Sequence, residues 1–504
     1  MEGTRMAVLD DICQWARKGF ELESSPTEIN NVYWLYGIPG IGKTSVANSI
    51  CGRLHESKNL GGSYFCRRDD PLLGEPKYVM PTLIHRLSSM WGPYRKLVVR
   101  ALRDDPHLGV DSTRLLFSEL LLKPIISLKK RHPPRPLVLV VDALDECGDS
   151  FTRRSLLIGL LEASSHVPWL KVIITSRQEH DIDSFFQQVK PRNRYLSRDL
   201  SMDDEKREDV RFLAQERMLD IAQRCHLRHD WPGKERLDLI VERCGGLFIF
   251  VETMWRFLRG FKDPEGPLKQ VLTGDSAKAN SELDKLYIIA ISSRLGEERG
   301  AFRAIAGAVV AVAPYRPLCD ETLATLTGLE PRVVTSWVDS LSSLLYRESD
   351  KSGGVRVRHL SILEFLTGKI CPDEFRVDIQ QANASMALSC LRTMIRELKF
   401  NICELETSCL SNADVEDLKD RVKRKISDGL QYSCLNWCGH LAAIRYQPNG
   451  EAIERLKEFL GGERLLFWME VLSLMGKMPA APSAMRQLAG WITVSTCPFM
   501  LGSI

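Results

Sequence analysis

The chain has 504 residues, of which 44% are hydrophobic and 26% are charged, values typical of a soluble globular protein of roughly two to four domains. The net charge of +3 is too small to indicate a nucleic acid or an anionic membrane as a partner. No apolar signal segment begins the chain, and the longest apolar run, residues 304–313, is about half the length of a membrane span. We therefore expect a cytoplasmic protein without a transmembrane segment.

Cysteine usage favours reduced thiols. The 14 cysteines are scattered and form no C-x-x-C pair, as expected in the cytosol or nucleus. Cys434, Cys438 and His440 make the one cluster that resembles a set of metal ligands. One helical turn would place both thiols on the same face, but no further ligand pattern lies nearby. Buried free thiols are the favoured interpretation.

A lead-in helix is predicted over residues 7–18, and a glycine-rich turn follows the apolar strand predicted at residues 32–36. The order strand, G-x-x-x-x-G-K-[ST], helix is the context in which this turn binds phosphate, because backbone N–H groups and the helix dipole face the anion. Lys43 is expected to bridge the β- and γ-phosphates, and the Thr44 hydroxyl to ligate Mg²⁺. The predicted nucleotide-binding residues are Gly37, Ile38, Pro39, Gly40, Ile41, Gly42, Lys43, Thr44 and Ser45.

Strands alternating with helices continue after this turn, which predicts a parallel sheet covered on both faces. Residues 137–141 form an uninterrupted aliphatic run, as a central strand requires, and Asp142, Asp145 and Glu146 follow it. In phosphate-loop NTPases a carboxylate at this end of the strand holds Mg²⁺, and a neighbouring one activates water. Asp142 suits the metal role, whereas either Glu146 or Asp145 suits the role of base.

A further strand, predicted over residues 170–174 and aliphatic except for Lys171, is followed by Thr175, Ser176 and Arg177. Parallel strands end at the same edge of a sheet, so Arg177 is expected near the γ-phosphate. A fixed cation there could report whether the nucleotide is a di- or triphosphate. An ordinary surface arginine is the alternative.

The second half of the chain is predicted to be mostly helical. Beyond residue 203 the apolar spacing is that of helices, and residues 299–365 combine short helices with a strand-like segment at 354–358 in an order that resembles a winged helix. The predicted fold class is an α/β P-loop NTPase, a parallel sheet with helices on both faces, followed by helical and winged-helix modules and a helical C-terminal region.

These motifs together resemble the NACHT branch of the STAND signalling NTPases, and in particular the fungal NLR-like proteins with a nephrocystin-like NTPase domain. The resemblance rests on residues 37–44, on Asp142-Ala143-Leu144-Asp145-Glu146, on residues 175–177 and on residues 245–250. Gly3-Thr4-Arg5, ahead of the lead-in helix, is a further feature of the fungal set.

The resemblance implies five parts. These are a lead-in helix (1–30), a NACHT P-loop core (31–200), a helical lid domain (201–298), a winged-helix-like domain (299–370) and a helical C-terminal region (371–504). The family's usual effector and repeat domains are not found in the sequence. We therefore expect the switch portion alone, either as a natural short form or as a truncated gene model.

The resemblance also implies roles for single residues. Residues 37–44 would bind phosphate and Mg²⁺, Asp142 would hold the metal, Glu146 would activate water and Arg177 would sense the γ-phosphate. A winged-helix histidine touches the ADP β-phosphate in related switches, and His359 is the candidate, although a surface or packing histidine fits equally well. Many STAND proteins place a Gly-x-Pro turn over the base. This chain has Gly246-Leu247-Phe248 there, which puts that contact in doubt.

The function implied is an ATP-binding, Mg²⁺-dependent switch of NLR type, closed with ADP and open and self-associating with ATP, with slow hydrolysis. ATP is preferred because no N-K-x-D element occurs, but NACHT proteins include GTP users. Two alternatives remain: a nucleotide-binding scaffold without significant hydrolysis, and a P-loop small-molecule kinase. The intact acidic motif argues against the scaffold, and the helical modules after Arg177 leave no evident acceptor lid for a kinase. The sequence does not identify protein partners.

Overall fold

A computed structural model describes residues 4–18, 30–70, 72–105, 108, 113–188, 195–202, 206–274, 281–294, 299–348, 353–407, 409–447 and 450–496. The chain divides into two compact units, residues 1–274 and residues 275–504. Gly3 lies outside the described residues. No described helix has the length and apolarity that a membrane crossing needs.

The first unit contains a parallel sheet and twelve α-helices among its described residues. The strands are β1 (Val32–Tyr36), β2 (Leu60–Phe65), β3 (Leu137–Asp142), β4 (Leu170–Ser176) and β5 (Tyr195–Asp199). The helices are α1 (Met6–Arg17), α2 (Lys43–Glu56), α3 (Val79–Met90), α4 (Gly92–Asp104), α5 (Thr113–Leu116), α6 (Lys123–Ser127), α7 (Ser150–Ser165), α8 (His180–Gln188), α9 (Lys206–Arg224), α10 (Lys234–Cys244), α11 (Phe248–Arg259) and α12 (Glu265–Thr273). A π-helical segment, Phe117–Leu122, joins α5 to α6.

The strand order is β2-β3-β4-β1-β5, and all neighbouring pairs are parallel. Every residue of β3 and of β4 is buried, as expected of central strands covered on both faces. Because β4 lies between β1 and β3, the segment after β4 is placed between the glycine-rich turn and the acidic motif. The three predicted segments therefore converge at the carboxyl edge of the sheet.

Successive residues of each strand face opposite sides of the sheet, and this alternation builds two core layers. Val32 and Trp34 of β1 lie in the layer covered by α3 to α8. Tyr33 and Leu35 lie in the layer covered by α1 and α2. The predicted fold class, a parallel sheet with helices on both faces, is confirmed.

The lead-in helix α1 is part of the second core layer and is fastened to β4. The Trp15 indole packs edge-on against Tyr33, with ring centroids 5.4 Å apart. Lys171 of β4 is 3% exposed, and its ammonium donates hydrogen bonds to the carbonyl oxygens of Trp15 and Lys18. Burial lowers the pKa of Lys171 to about 8. The lysine therefore caps carbonyl groups at the C-terminal end of α1.

The second unit is mainly helical in its described residues. Its elements are α13 (Glu282–Ser292), α14 (Arg299–Val312), α15 (Asp320–Thr327), α16 (Pro331–Ser340), β6 (Leu345–Arg347), β7 (Val355–Val357), α17 (Leu360–Thr367), α18 (Ile379–Glu397), α19 (Leu418–Lys425), α20 (Asp428–Ala442), α21 (Glu451–Leu460), α22 (Arg464–Leu474) and α23 (Ala480–Thr496). β6 and β7 pair antiparallel. The order of three helices, a two-stranded hairpin and a helix is the winged-helix-like order predicted for this region, whereas the five-part division of the chain stays a prediction.

Candidate nucleotide site

The glycine-rich turn connects β1 to α2 at the edge of the sheet. Gly40 and Gly42 have φ values of +78° and +99°, a left-handed conformation that side chains with a Cβ rarely adopt. α2 begins at Lys43, directly after Gly42, so the first backbone N–H groups of this helix lie at the turn. The Ile41 side chain is 1% exposed and belongs to the core. This residue can contribute to anion binding only through its backbone.

Lys43 reaches back across the turn. Its ammonium donates to the carbonyl oxygens of Gly37 and Ile38, with N–O distances of 2.7 and 3.1 Å. Burial lowers the pKa of Lys43, an effect opposed chiefly by the negative charge of Asp145 and, less strongly, of Asp142 and Glu146. The ammonium is therefore placed between the loop carbonyls and the acidic motif.

Asp142 ends β3 and is 1% exposed. The Thr175 hydroxyl donates to one of its carboxylate oxygens, and the Thr44 hydroxyl is a second hydrogen-bond partner. Burial nevertheless raises the pKa of Asp142, because these hydrogen bonds and Lys43 offset the loss of water only in part. Thr44, Asp142 and Thr175 thus bring together the ends of three different segments.

Asp145 and Arg177 form a buried ion pair beside this cluster. The Arg177 Nε lies 3.3 Å from the Asp145 Oδ2, and the side chains are 16% and 1% exposed. The backbone N–H of Arg177 also donates to the Asp145 Oδ1 at 2.9 Å. Arg177 is therefore not an ordinary surface arginine: it is held at the carboxyl edge of the sheet by Asp145. Because the Asp145 carboxylate contacts Arg177 through both of its oxygens, Glu146 is the better candidate for a base.

Glu146 lies one residue further along, in the turn Leu144–Glu146. Burial is the main effect that raises the pKa of Glu146 to about 7, and the charge of Asp145 adds to it. A hydrogen bond from the Arg68 backbone N–H and the charges of Arg177 and Arg68 lower this pKa in part. The Arg68 N–H lies 3.4 Å from the Glu146 Oε2, and its guanidinium donates to the Asp145 carbonyl oxygen at 3.0 Å. A pKa near neutrality is the value that suits a general base. Arg68 was not predicted as a site residue.

The start of α11 packs directly on the glycine-rich turn. The Ile249 N–H donates to the Gly40 carbonyl oxygen at 3.3 Å, and a Cβ added at Gly42 would lie 3.5 Å from the Phe248 ring. The sequence put a contact from this segment in doubt because the proline is missing. The structure shows that Phe248 and Ile249 contact the phosphate loop without it.

Arg5 also contacts this loop. It is 2% exposed, and its guanidinium donates to the Ile41 carbonyl oxygen at 3.3 Å and lies 5.4 Å from the centroid of the Phe248 ring. Its backbone N–H donates to the Asp209 carboxylate of α9 at 3.1 Å. In the sequence, Arg5 is only part of the Gly3-Thr4-Arg5 feature shared with the fungal set. Its contact with the phosphate loop could not be read from the sequence.

The donors present fit a magnesium ion that is held together with a nucleotide. No group of three or more His, Cys, Asp or Glu side chains within the described ranges is placed to hold a metal ion. Mg²⁺ needs fewer, since it is usually bound by one or two carboxylates with water and substrate phosphates. The Thr44 hydroxyl and the buried Asp142 carboxylate supply such a set. Burial raises the pKa of Asp142 more than its hydrogen bonds and Lys43 lower it, so a cation at this position would stabilise the carboxylate.

Two further candidates lie in the second unit. His359 caps α17: its Nδ1 accepts a hydrogen bond from the Ser361 N–H at 3.2 Å and lies 2.6 Å from the Ser361 hydroxyl. Its contact with a nucleotide stays a prediction. His440 lies 2.7 Å from the Tyr432 hydroxyl through Nε2 and 2.8 Å from the Asn383 Oδ1 through Nδ1. Both ring nitrogens of His440 therefore have protein partners, which is consistent with a histidine packed in the core rather than a metal ligand.

The parallel sheet, the turn with Lys43 and Thr44, and the acids after β3 define a P-loop NTPase. Residues 11–177 match the family model described as Nephrocystin 3, N-terminal. The chain is also 25% identical, over 522 aligned residues and 97% of its length, to vegetative incompatibility protein HET-E-1 of Podospora anserina, of which it spans 36%. The resemblance to a fungal NACHT-type NTPase that the motifs predict is therefore confirmed.

Two solved structures also match. Cdc6p of Pyrobaculum aerophilum has a TM-score of 0.33 and 14% identity, with 74% of this chain and 95% of that chain covered. A Walker-type ATPase of Pyrococcus abyssi has a TM-score of 0.32 and 14% identity, with 71% of this chain and 94% of that chain covered.

Proposed function

We propose that this nucleotide-binding NTPase of NLR-like type works as an Mg²⁺-dependent signalling switch, closed with ADP and open and self-associating with ATP. The observation that carries the proposal is the convergence of Lys43, Asp142 and the Asp145–Arg177 pair at one edge of the sheet. A phosphate-binding turn, a metal-binding carboxylate and a fixed cation are the parts that a triphosphate site requires. The relative HET-E-1 is named for vegetative incompatibility, and we propose a response of that kind as the output.

The residues divide the chemistry as follows. The N-terminal end of α2 and Lys43 bind the β- and γ-phosphates, and Ser45 follows them in the first turn of the helix. Thr44 and Asp142 would hold Mg²⁺, which would supply charge neutralisation to the phosphates. Glu146, with its pKa raised to about 7 by burial, accepts the proton of the attacking water. Arg177 stabilises the charge that develops on the γ-phosphate oxygens.

The switch depends on a competition for Arg177. The guanidinium of Arg177 is paired with Asp145, with 3.3 Å between Nε and Oδ2. A triphosphate offers a second anionic partner, and a diphosphate does not. A ligand shifts an equilibrium only by its differential affinity for the two states, so this exchange of partners is where ATP and ADP would differ. A contact of His359 with the β-phosphate would favour the closed state.

Nucleotide binding is tested by titrating ADP and ATP, with Mg²⁺, into the wild type and Lys43→Ala. We expect a loss of affinity of at least about tenfold, since a charged hydrogen-bonding group is removed from the phosphates. Lys77→Ala is the matched control, because Lys77 is 62% exposed and lies outside the turn. Unchanged nucleotide affinity in Lys43→Ala would refute the site.

Hydrolysis is tested separately by phosphate release from the wild type, Glu146→Gln and the control Glu162→Gln on the exposed face of α7. If the protein is a hydrolytic switch, we expect slow phosphate release from the wild type and the control, and no phosphate release from Glu146→Gln. Equal rates in all three, with nucleotide still bound, would favour the scaffold. Native mass spectrometry with ADP and then with a non-hydrolysable ATP analogue reports bound nucleotide and self-association in one measurement, and a monomer in both would refute the self-associating state.

A further inference from the structure

A second cationic cluster lies in the first unit, on α9 and α11. Three guanidinium groups surround the indole of Trp255: Arg217 lies 4.4 Å from the ring centroid, and Arg256 and Arg259 each lie 4.8 Å from it. The indole is 8% exposed, whereas the arginine side chains are 31% to 41% exposed. The aromatic ring therefore supports a group of cations that water reaches.

Positive charge exceeds negative charge in this cluster. Glu252 accepts hydrogen bonds from the Arg217 Nε at 2.7 Å and from Arg256 at 3.3 Å. The Asp220 carboxylate accepts a hydrogen bond from the Trp255 indole N–H at 2.7 Å. The same carboxylate lies 3.6 Å from the Arg259 Nε. Two carboxylates thus face three guanidinium groups. Burial lowers the pKa of Arg256, and the charges of Arg217 and Arg259 lower it further, whereas the charge of Glu252 raises it.

Many hydrogen-bond donors of the cluster are unused by the protein. Each guanidinium carries five N–H groups. Among the described residues, Arg256 makes one hydrogen bond and Arg259 makes none, being paired with Asp220 only at 3.6 Å. Guanidinium groups bind the oxygens of phosphate through pairs of such donors. Excess charge and unused paired donors on a rigid support are the properties of a phosphate site.

We propose that the Trp255 cluster binds a small phosphate-bearing anion. The site is separate from the glycine-rich turn. Ile249, at the start of α11, contacts the turn, whereas Arg256 lies seven residues further along the helix, roughly 10 Å away at 1.5 Å per residue. The alternative is a purely structural role, in which the arginines hold α9 to α11 and two of them complement the negative end of the α11 dipole.

The test is calorimetric titration of sodium pyrophosphate, at low ionic strength, into the full chain carrying Lys43→Ala. We expect saturable binding that remains in this background and becomes at least about tenfold weaker when Arg256→Gln and Arg259→Gln are added, because charged hydrogen bonds to phosphate are lost. Glutamine retains part of the side-chain packing. Arg211→Gln is the matched control, since Arg211 lies on α9 and pairs with Asp238 at 2.6 Å.

Tryptophan fluorescence supplies a second readout that a structural role would not give. Pyrophosphate should change the emission of the Lys43→Ala chain, and Trp255→Phe should remove that change. Sedimentation with vesicles containing a phosphatidylinositol phosphate, lost with the two glutamine substitutions, would identify a lipid headgroup as the source of the anion. Binding of pyrophosphate without sedimentation would identify a free anion.

Three results would overturn the proposal. The first is the absence of saturable binding. The second is binding that the glutamine substitutions leave unchanged. The third is pyrophosphate binding in the wild type that Lys43→Ala alone abolishes, because all of it would then belong to the phosphate loop. A failure of the nucleotide site itself is seen independently in the ATP and ADP titrations.

Discussion

The backbone N–H of Ile249 donates a hydrogen bond to the carbonyl oxygen of Gly40, with the two atoms 3.3 Å apart. This bond joins the first turn of α11 to the middle of the phosphate loop. A Cβ added at Gly40 would lie only 2.2 Å from the Ile249 Cγ2. The loop and the helix therefore fit each other only while position 40 has no side chain.

We expect Gly40→Ala to weaken ATP binding at least about tenfold, because the φ of +78° and the Ile249 side chain both exclude a methyl group. Adding Ile249→Ala should restore part of the affinity by removing the steric clash, while the backbone strain persists. Calorimetric titration of ATP into the single and double variants measures this. Full affinity in Gly40→Ala, or no recovery in the double variant, would contradict the packing described.

Removing Arg177 should destabilise the first unit. Arg177→Ala removes the ion-pair partner of the Asp145 carboxylate, which is 1% exposed. Because the charge of Lys43 remains nearby, we expect a loss at the lower end of the range for broken buried pairs, about 3 kcal/mol. The control is Arg198→Ala, since the Arg198 and Asp11 side chains are 29% and 53% exposed and such pairs contribute less than about 1 kcal/mol. Urea unfolding measures both free energies of unfolding. Equal losses in the two variants would show that Asp145 is not dependent on Arg177.

The hydrolysis rate should rise with pH as Glu146 ionises. Burial and Asp145 raise the pKa of Glu146 from 4.5 to about 7, so kcat/KM should increase through pH 7 in the free protein and level off above it. Glu162→Gln should keep this profile. A wild-type profile that is flat between pH 6 and 8 would exclude Glu146 as the titrating base.

The raised pKa of Glu146 also affects the stability of the fold. Stability should fall as the pH rises, whereas the hydrolysis rate should increase. The folded chain holds the Glu146 proton more tightly than the unfolded chain, so the stabilisation is complete below pH 4.5 and is lost as the pH rises through 7. Urea midpoints of the wild type and Glu146→Gln should therefore diverge between pH 4.5 and 7. Parallel curves would contradict the raised pKa.

The second unit should lose stability on acidification because of His440. Burial lowers the pKa of His440 from 6.5 to about 4. The neutral imidazole ring forms hydrogen bonds with the Tyr432 hydroxyl and the Asn383 side chain. The unfolded chain then binds more protons between pH 4 and 6.5, and roughly 3 kcal/mol of stability is lost as the pH falls through this window. His440→Gln should flatten this dependence in urea unfolding, whereas His55→Gln, on the exposed face of α2, should not. An unchanged slope in His440→Gln would contradict the shift.

The sequence was sufficient for those parts of the site that are contiguous in the chain. β1, β3 and β4 are short, mainly apolar runs that end at or just before functional residues, so pattern and spacing predict both the strands and the edge at which they end. The half-buried β5, with the sequence Tyr-Leu-Ser-Arg-Asp, carries no such pattern and was not predicted. Nor was α22, whose apolar residues occur on all sides and give no helical period.

The residues that were missed come together only through tertiary structure. Arg68 meets Glu146 because β2 pairs with β3, and Arg5 reaches Ile41 because α1 packs on α2. Ile249 acts through its backbone N–H, and a backbone donor has no signature in the sequence. For the same reason the missing proline in Gly246-Leu247-Phe248 suggested a lost contact that the structure retains.

The attachment of α1 to Lys171 has a practical consequence for recombinant work. An expression fragment that starts at β1 would keep the whole phosphate loop but would remove the carbonyl acceptors of Lys171 and expose the apolar face of the sheet that α1 covers. Such a fragment should be insoluble, and one that starts before Met6 should not. The smallest portion of this chain suited to crystallisation therefore begins ahead of the lead-in helix.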